Sequence, residues 1–214
     1  MGAGTAMDDD ELPRAGAADQ PAPALSGLTD ASPVLVLAEA GIDAEGTVCR
    51  SLLSPEPHET QQVVTLSLTE GVDGCLERLG ETEGLKRIHV ITSRQGASAT
   101  AVTTSGSTNL VTERVPDPSD LPRLGMAVSK AVTATDIGRV RVCIDSLTAL
   151  LQYVDRGRVY RFVQVLQDRL DTSNTVAHYH LNPAAHDQQT VETLRQLFGA
   201  AVELSPEGDV ERVE

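Results

Sequence analysis

Residues 140–154 read VRVCIDSLTALLQYV, and their pattern gives the strongest indication of the fold class. Its first half alternates apolar residues with others, which is typical of a short buried strand. These apolar positions are Val140, Val142 and Ile144. The strand ends on Asp145 and Ser146, and residues 147–154 then carry apolar side chains at helical spacing. The stretch therefore predicts a strand, a polar turn and an amphipathic helix.

Asp145 is the residue of this stretch that calls for an explanation. A carboxylate at the carboxyl end of a buried strand is poorly solvated, so it needs a partner. In one interpretation, Asp145 or Ser146 caps the helix that follows. In the other, Asp145 faces the magnesium ion of a nucleotide-binding fold.

The composition limits the class of protein and its partners. The chain has 214 residues, enough for one α/β domain, and a formal net charge of -14 with only two lysines, Lys86 and Lys130. Such chains are typical of the cytosol of salt-accumulating halophiles, because carboxylates stay hydrated when salt screens their repulsion. No basic stripe is visible in the sequence, which argues against binding to nucleic acid.

The three cysteines, Cys49, Cys75 and Cys143, are widely spaced, and no pair has the spacing of zinc ligands. We interpret them as small core residues rather than as a disulfide framework. No apolar run approaches the ~20 residues that a membrane helix needs, and the N-terminus lacks an apolar signal core. These patterns predict a cytoplasmic protein without a membrane segment.

Residues 1–32 are rich in Ala, Gly, Pro and Asp, with an acidic run at 8–11. Such a segment buries too little apolar surface to offset chain entropy, so we predict a disordered acidic tail. A partner-binding arm is the alternative. The folded domain is expected to span residues 33–214.

Strand and helix patterns alternate through this domain. The predicted strands are 33–38, 62–68, 87–92, 109–115, 140–144 and 175–180, followed by a closing hairpin of 200–204 and 210–213. The predicted helices are 48–53, 72–79, about 120–134, 147–154, 157–171 and 190–198. Residues 95–108 are Gly-, Ser- and Thr-rich, so we expect a flexible excursion. The alternation predicts an α/β fold, a mostly parallel sheet with helices on both faces and a crevice at the carboxyl ends of the strands.

The turn after the first strand has the glycine spacing of a phosphate-binding loop. Gly41 and Gly46 are separated by four residues between a strand and a helix. Thr47 stands where such a loop has its lysine, two carboxylates lie inside the loop, and the nearest basic residue along the chain is Arg50. An ordinary glycine-containing turn is equally consistent with the spacing.

This loop and the segment VCIDSLTALL together resemble the RecA/KaiC-like P-loop ATPase superfamily, and in particular a haloarchaeal KaiC-like group in which HYHLNPAAHD follows the long helix. The resemblance covers about residues 33–213. It implies a RecA-like fold in which Asp145 orders a magnesium-bound water, and Glu70, after the second strand, is a loose match to the catalytic glutamate. If ATP or ADP binds weakly with magnesium, the residues expected to bind it are Gly41, Gly46, Thr47, Asp145 and Ser146.

The missing lysine determines the functional prediction. That lysine contacts the β- and γ-phosphates, so its loss removes transition-state stabilisation. We therefore predict a pseudo-ATPase that acts as a regulatory or scaffold protein by binding a protein partner or itself. A weak nucleotide-binding switch that uses the 41–46 loop and Asp145 is the alternative.

His178, His180 and His186 suggest a third possibility. The first two are two residues apart on a predicted strand and share a face, and the third lies in the turn beyond. They are candidate ligands for the metal of a metal-dependent enzyme. The alternatives are that they line the crevice without a metal, or that they make structural hydrogen bonds.

Overall fold

The computed structural model describes residues 25, 28, 33–39, 41, 43–53, 60–80, 85–94, 100–105, 107–134, 138–171 and 174–213. Most of the predicted tail lies outside the described residues. Leu25 and Leu28 are described, and both side chains are buried in a cluster that contains Val34 and Val36. Within the described ranges, no helix is both long and apolar enough to cross a membrane.

One nine-stranded sheet organises the described residues, in the order β4-β5-β3-β2-β6-β7-β1-β8-β9. The strands from β5 to β8 in this order pair in parallel, and β4 and β9 pair antiparallel at the two edges. The strands are β1 (Val34–Leu37), β2 (Thr60–Ser67), β3 (Arg87–Thr92), β4 (Thr100–Ser105), β5 (Thr108–Arg114), β6 (Arg139–Asp145), β7 (Thr175–Leu181), β8 (Ala200–Leu204) and β9 (Val210–Val213).

Helices cover both faces of this sheet. They are α1 (Asp43–Leu53), α2 (Val72–Leu79), α3 (Leu121–Thr133), α4 (Leu147–Tyr153), α5 (Arg156–Leu170) and α6 (Gln188–Arg195). Buried side chains of α1 and α2 form one core cluster with the sheet, and those of α3 to α6 form another. The predicted fold class, a mostly parallel sheet between two layers of helices, is confirmed.

The central strand β6 contributes to both cores. The alternating residues Val140, Val142 and Ile144 pack with α3, α4 and α5, as predicted. Cys143 packs with α1 and α2 on the opposite face, where Arg141 and Asp145 are also buried. Because a strand between two helix layers has no solvated face, these polar side chains need partners inside the protein.

The predicted flexible excursion at 95–108 is wrong over residues 100–105. These residues form β4, an edge strand that pairs with β5 from Thr100 opposite Glu113 to Ser105 opposite Thr108. The threonines and Val102 are β-branched, which favours a strand even where Ser and Gly are frequent nearby. Residues 95–99 and 106 lie outside the described part of the chain.

Candidate functional site

A crevice of about 480 Å³ lies at the carboxyl ends of β1, β2, β6 and β7, where the alternation predicted one. The helix that follows β1 covers one face of the sheet and the helix that follows β6 covers the other, which is the usual position of a ligand site in such folds. The acidic and basic residues that line the crevice are Glu45, Glu70, Arg78, Arg94, Asp145 and His180.

The glycine-containing turn differs from the predicted phosphate loop. Helix α1 begins at Asp43, five residues earlier than predicted, so Gly46 and Thr47 lie within the helix. Acidic residues in a first turn favour such an early start, because they interact well with the positive end of the helix. Only Gly41 remains in the turn, where its φ of +88° suits glycine. Thr47 is exposed and its hydroxyl accepts a hydrogen bond from Arg50 at 3.4 Å.

Asp145 is buried, and one of its two carboxylate oxygens contacts three neighbouring side chains. Its Oδ2 accepts hydrogen bonds from Thr69 Oγ1 at 2.9 Å and Ser67 Oγ at 3.2 Å. The same oxygen lies 2.9 Å from Nη1 of Arg78. The helix cap belongs to Ser146, whose side chain accepts from the backbone N–H of Ala149 at 3.1 Å. Ser146 therefore caps the helix, whereas Asp145 binds Arg78 and two hydroxyl groups.

Arg78 reaches the crevice from the last turn of α2, and its side chain is only 14% exposed. Its Nη2 also lies 3.2 Å from Oε2 of Glu70, an ion pair without hydrogen-bond geometry. Burial raises the pKa of Glu70; Arg78 opposes that shift and Asp145 adds to it. The predicted catalytic candidate therefore lies beside Asp145, but a guanidinium separates the two carboxylates.

Sequence reasoning missed Arg78 because it compared basic residues along the chain and stopped at Arg50. A signal was present: Arg78 is a basic residue in the last turn of the helix that follows β2, and a side chain on that helix can reach back over the strand ends. Glu45, Glu70 and Asp145 place three carboxylates at the crevice wall. The basic groups that face them are already engaged, since Arg78 pairs with Glu70 and Asp145, and His180 pairs with Glu45. This balance opposes a triphosphate.

The histidines divide into two places. His178 and His180 share a face of β7, as predicted, and the parallel register sets Cys143 of β6 beside His178. His186 lies elsewhere, with Nε2 3.2 Å from Oγ1 of Thr148. It does not belong to the cluster that contains the other two.

Cys49 of α1 completes that buried cluster. Its Sγ lies 3.6 Å from Sγ of Cys143 and 3.4 Å from Nε2 of His178. All three cysteines are buried, as the core interpretation predicted, but the meeting of two of them with two histidines was not foreseen. The four residues come from three separate segments, so no local spacing could have indicated it.

The pKa values in this cluster diverge. Burial lowers the pKa of His178. Burial alone would also lower the pKa of His180, but the neighbouring Cys49 and the carboxylate of Glu45 outweigh it and raise the value to about 10. The contact is direct, since Nδ1 of His180 lies 2.8 Å from Oε1 of Glu45.

The chain belongs to a family of unknown function, DUF7504, whose model matches residues 31–204. No functionally curated protein matches it. A structure from Pyrococcus horikoshii OT3 is similar with a TM-score of 0.54 and 14% identity, over 84% of each chain. At this identity the likeness shows the fold alone.

Two further solved structures are similar at a TM-score of 0.49. The flagellar accessory protein FlaH from Methanocaldococcus jannaschii is 11% identical, over 83% of this chain and 74% of its own. An ATPase from the type III secretion system of pathogenic bacteria is 15% identical, over 81% of this chain and 51% of its own.

Replacing Arg78 with methionine tests the role that the geometry gives to it. Arg78→Met keeps the apolar stem but leaves Glu70 and Asp145 buried without their cation, so we expect the free energy of unfolding to fall by about 3 to 5 kcal/mol. Two facing carboxylates also make a site for a hard dication. Millimolar Mg²⁺ should therefore restore part of the stability of the variant in urea denaturation and leave the parent protein unchanged.

The matched control is Arg156→Met, which removes a half-buried arginine 4.0 Å from the exposed Asp187. This change should cost less than about 1 kcal/mol. An equal loss in the two variants would show that Arg78 is not specially bound to its carboxylates.

Proposed function

We propose that this protein is a catalytically degenerate RecA-like domain that acts by binding a protein partner in a halophilic archaeal cytoplasm. It does not depend on turnover of nucleotide. The observation that carries the proposal is the guanidinium of Arg78, 2.9 Å from Oδ2 of Asp145. The sequence resemblance implies that the corresponding carboxylate of an active relative orders a magnesium-bound water.

The contacts of Asp145 argue against magnesium at this position. One carboxylate oxygen receives two hydroxyl hydrogen bonds and an arginine. A magnesium ion at this oxygen would have to displace the arginine, and breaking a buried ion pair costs about 3 to 5 kcal/mol. Magnesium also gives up its own water reluctantly. The arginine therefore competes strongly with the ion for the same oxygen.

The phosphate side of the crevice supports the same conclusion. A phosphate loop works by aiming backbone N–H groups and a cation at the anion. Here α1 begins at Asp43 and takes up the backbone around Gly46. Glu45 adds a carboxylate to the crevice wall. Thr47 stands where an active site has its lysine, and the described residues from Asp43 onward form a helix rather than a phosphate loop.

One observation favours the weak nucleotide-binding switch as the second candidate. Arg78 lines both the crevice and an adjoining depression beside Gly46 and Arg50. If its guanidinium moved from Asp145 to a phosphate, it would supply the missing cation and free Asp145 for magnesium. Nucleotide binding would then be coupled to the breaking of the ion pair.

A groove between α3 and α5 is the surface that we assign to the partner. The groove has a volume of about 620 Å³ and lies away from the crevice. It belongs to the layer of α3 to α6, which covers the face of the sheet opposite α1 and α2. Met126 is 59% exposed and Val165 is 50% exposed at its wall. Arginines also line it, at positions Arg158, Arg161 and Arg169.

The charge of this groove indicates its occupant. The chain as a whole has a net charge of -14, so a patch with three arginines is unusual on it. An apolar groove with basic walls fits an amphipathic helix whose apolar stripe is flanked by carboxylates. We assign the groove to such a helix of a partner protein.

Two measurements on the full chain in molar potassium chloride test the proposal. Calorimetric titration with Mg-ATP and Mg-ADP measures binding, and a phosphate-release assay measures turnover. We expect no phosphate release above the protein-free blank and no saturable binding at millimolar nucleotide. Magnesium-dependent turnover that is lost in Asp145→Ala and kept in Asp168→Ala, an exposed control on α5, would contradict the proposal. Saturable binding without turnover, lost in Arg78→Met, would establish the switch instead.

Helical peptides of about 15 residues test the groove. A peptide with leucines at positions i, i+4 and i+7 and glutamates on both sides should bind at least about tenfold more tightly than its lysine-flanked twin, because the arginines select the acidic flanks. Fluorescence anisotropy measures both affinities. Binding should disappear in the double variant Met126→Glu, Val165→Glu and persist in Val102→Glu, which alters an exposed valine on β4. Equal affinity for the two peptides would refute the assignment.

A further inference from the structure

We propose that Cys49, Cys143, His178 and His180 form a buried tetrahedral site for a zinc-class divalent cation. Helix α1 supplies the first ligand, β6 the second, and β7 both histidines. All four residues are buried, and their ligand atoms lie within 4.8 Å of one another. The site does not include Asp145, although His180 and its partner Glu45 also line the crevice. The inference does not depend on the proposed function.

The observed distances fit a four-coordinate zinc ion. Zinc binds sulfur at about 2.3 Å and imidazole nitrogen at about 2.0 to 2.1 Å, so a tetrahedron has edges of about 3.8 Å between sulfurs and about 3.6 Å between sulfur and nitrogen. The two sulfurs lie 3.6 Å apart, and Sγ of Cys49 lies 3.4 Å from Nε2 of His178. Both edges match to within a few tenths of an ångström.

His180 provides a second, independent indication of a ligand. Its Nε2 is fully buried and has no hydrogen-bond partner among the described residues. Its other nitrogen, Nδ1, lies 2.8 Å from Oε1 of Glu45. Zinc-bound histidines characteristically donate their second N–H to a carboxylate, which fixes the tautomer and the ring orientation. The arrangement leaves Nε2 as the ligand atom.

The ligand chemistry selects the class of metal. Two thiolates and two imidazoles in a tetrahedron suit zinc, whereas magnesium, calcium and manganese prefer oxygen ligands. Two thiolates also balance the charge of a dication, which suits a site without access to water. Since four protein ligands complete the coordination shell, the ion would be structural rather than catalytic.

Such an ion would fasten α1 to the centre of the sheet. Cys49 lies near the middle of the helix, and Glu45, one turn earlier, holds His180. The ion and the Glu45 contact would together secure the first half of α1 against β6 and β7. Binding energy at a site that the unfolded chain lacks adds directly to the stability of the fold.

Metal content is the first test. The full chain, purified under reducing conditions in molar potassium chloride without added chelator, should contain close to one zinc per chain by elemental analysis. After removal of the metal, titration with Co²⁺ should produce thiolate charge-transfer absorption and the intense visible bands of tetrahedral cobalt. Metal-free protein with free thiols that gives neither absorption with excess Co²⁺ would overturn the proposal.

Four variants test the ligand assignment. Cys49→Ser and Cys143→Ser should lose the thiolate absorption, whereas Cys75→Ser, the matched change of a buried cysteine on α2 outside the cluster, should keep it. Glu45→Gln should weaken metal affinity by about 10- to 100-fold, since the carboxylate only orients a ligand. Loss of the absorption in Cys75→Ser alone would contradict the assignment.

Thermal unfolding of the unaltered chain keeps the test informative if a cysteine variant fails to fold. Free Zn²⁺ at about a hundred times its dissociation constant should raise the Tm of the metal-free chain by about 5 to 10 °C. An unchanged Tm on metal removal and return would overturn the proposal.

Discussion

Strand β6 turns three side chains that can form polar contacts toward the layer of α1 and α2. Their need for partners constrains how that layer packs on the sheet. Arg141, Cys143 and Asp145 point away from the large apolar core, toward α1 and α2, and all three are buried. Each therefore requires a partner from that layer. Arg141 donates to the carbonyl of Leu52 at 3.1 Å, and Asp145 holds Arg78. Cys143 meets Cys49 at the centre.

The same alternation explains how much of the molecule could be predicted. Apolar residues at strand and helix spacing were sufficient for the parallel sheet, the helix layers and the crevice, because burial of the apolar face is a local property of each element. The strand β4 was missed because its threonines were interpreted by their polarity rather than by their branched Cβ. The early start of α1 was missed because a glycine spacing was given more weight than the helix-favouring acidic residues inside it.

The site was less predictable, because its contacts join distant segments. Asp145 was recognised as a residue that needs a partner, but Arg78 comes from another helix and its reach depends on the packing of α2 over β2. The cluster around Cys143 likewise joins residues 94 positions apart, from Cys49 to Cys143. In both clusters, side chains of the kind that bind ligands contact one another inside the protein. The proposed function requires this of Asp145 and Arg78.

The free energy of unfolding of Asp145→Asn, without magnesium or nucleotide, tests this account most directly. If Asp145 exists to hold Arg78, the change leaves a buried guanidinium without its main partner, and stability should fall by about 3 kcal/mol. Asp168→Asn, which removes an exposed charge on α5, should change stability by less than about 0.5 kcal/mol. A carboxylate retained for magnesium predicts the opposite sign, because removing it relieves repulsion with Glu70 in the absence of the ion. An unchanged or increased stability of Asp145→Asn would contradict the account.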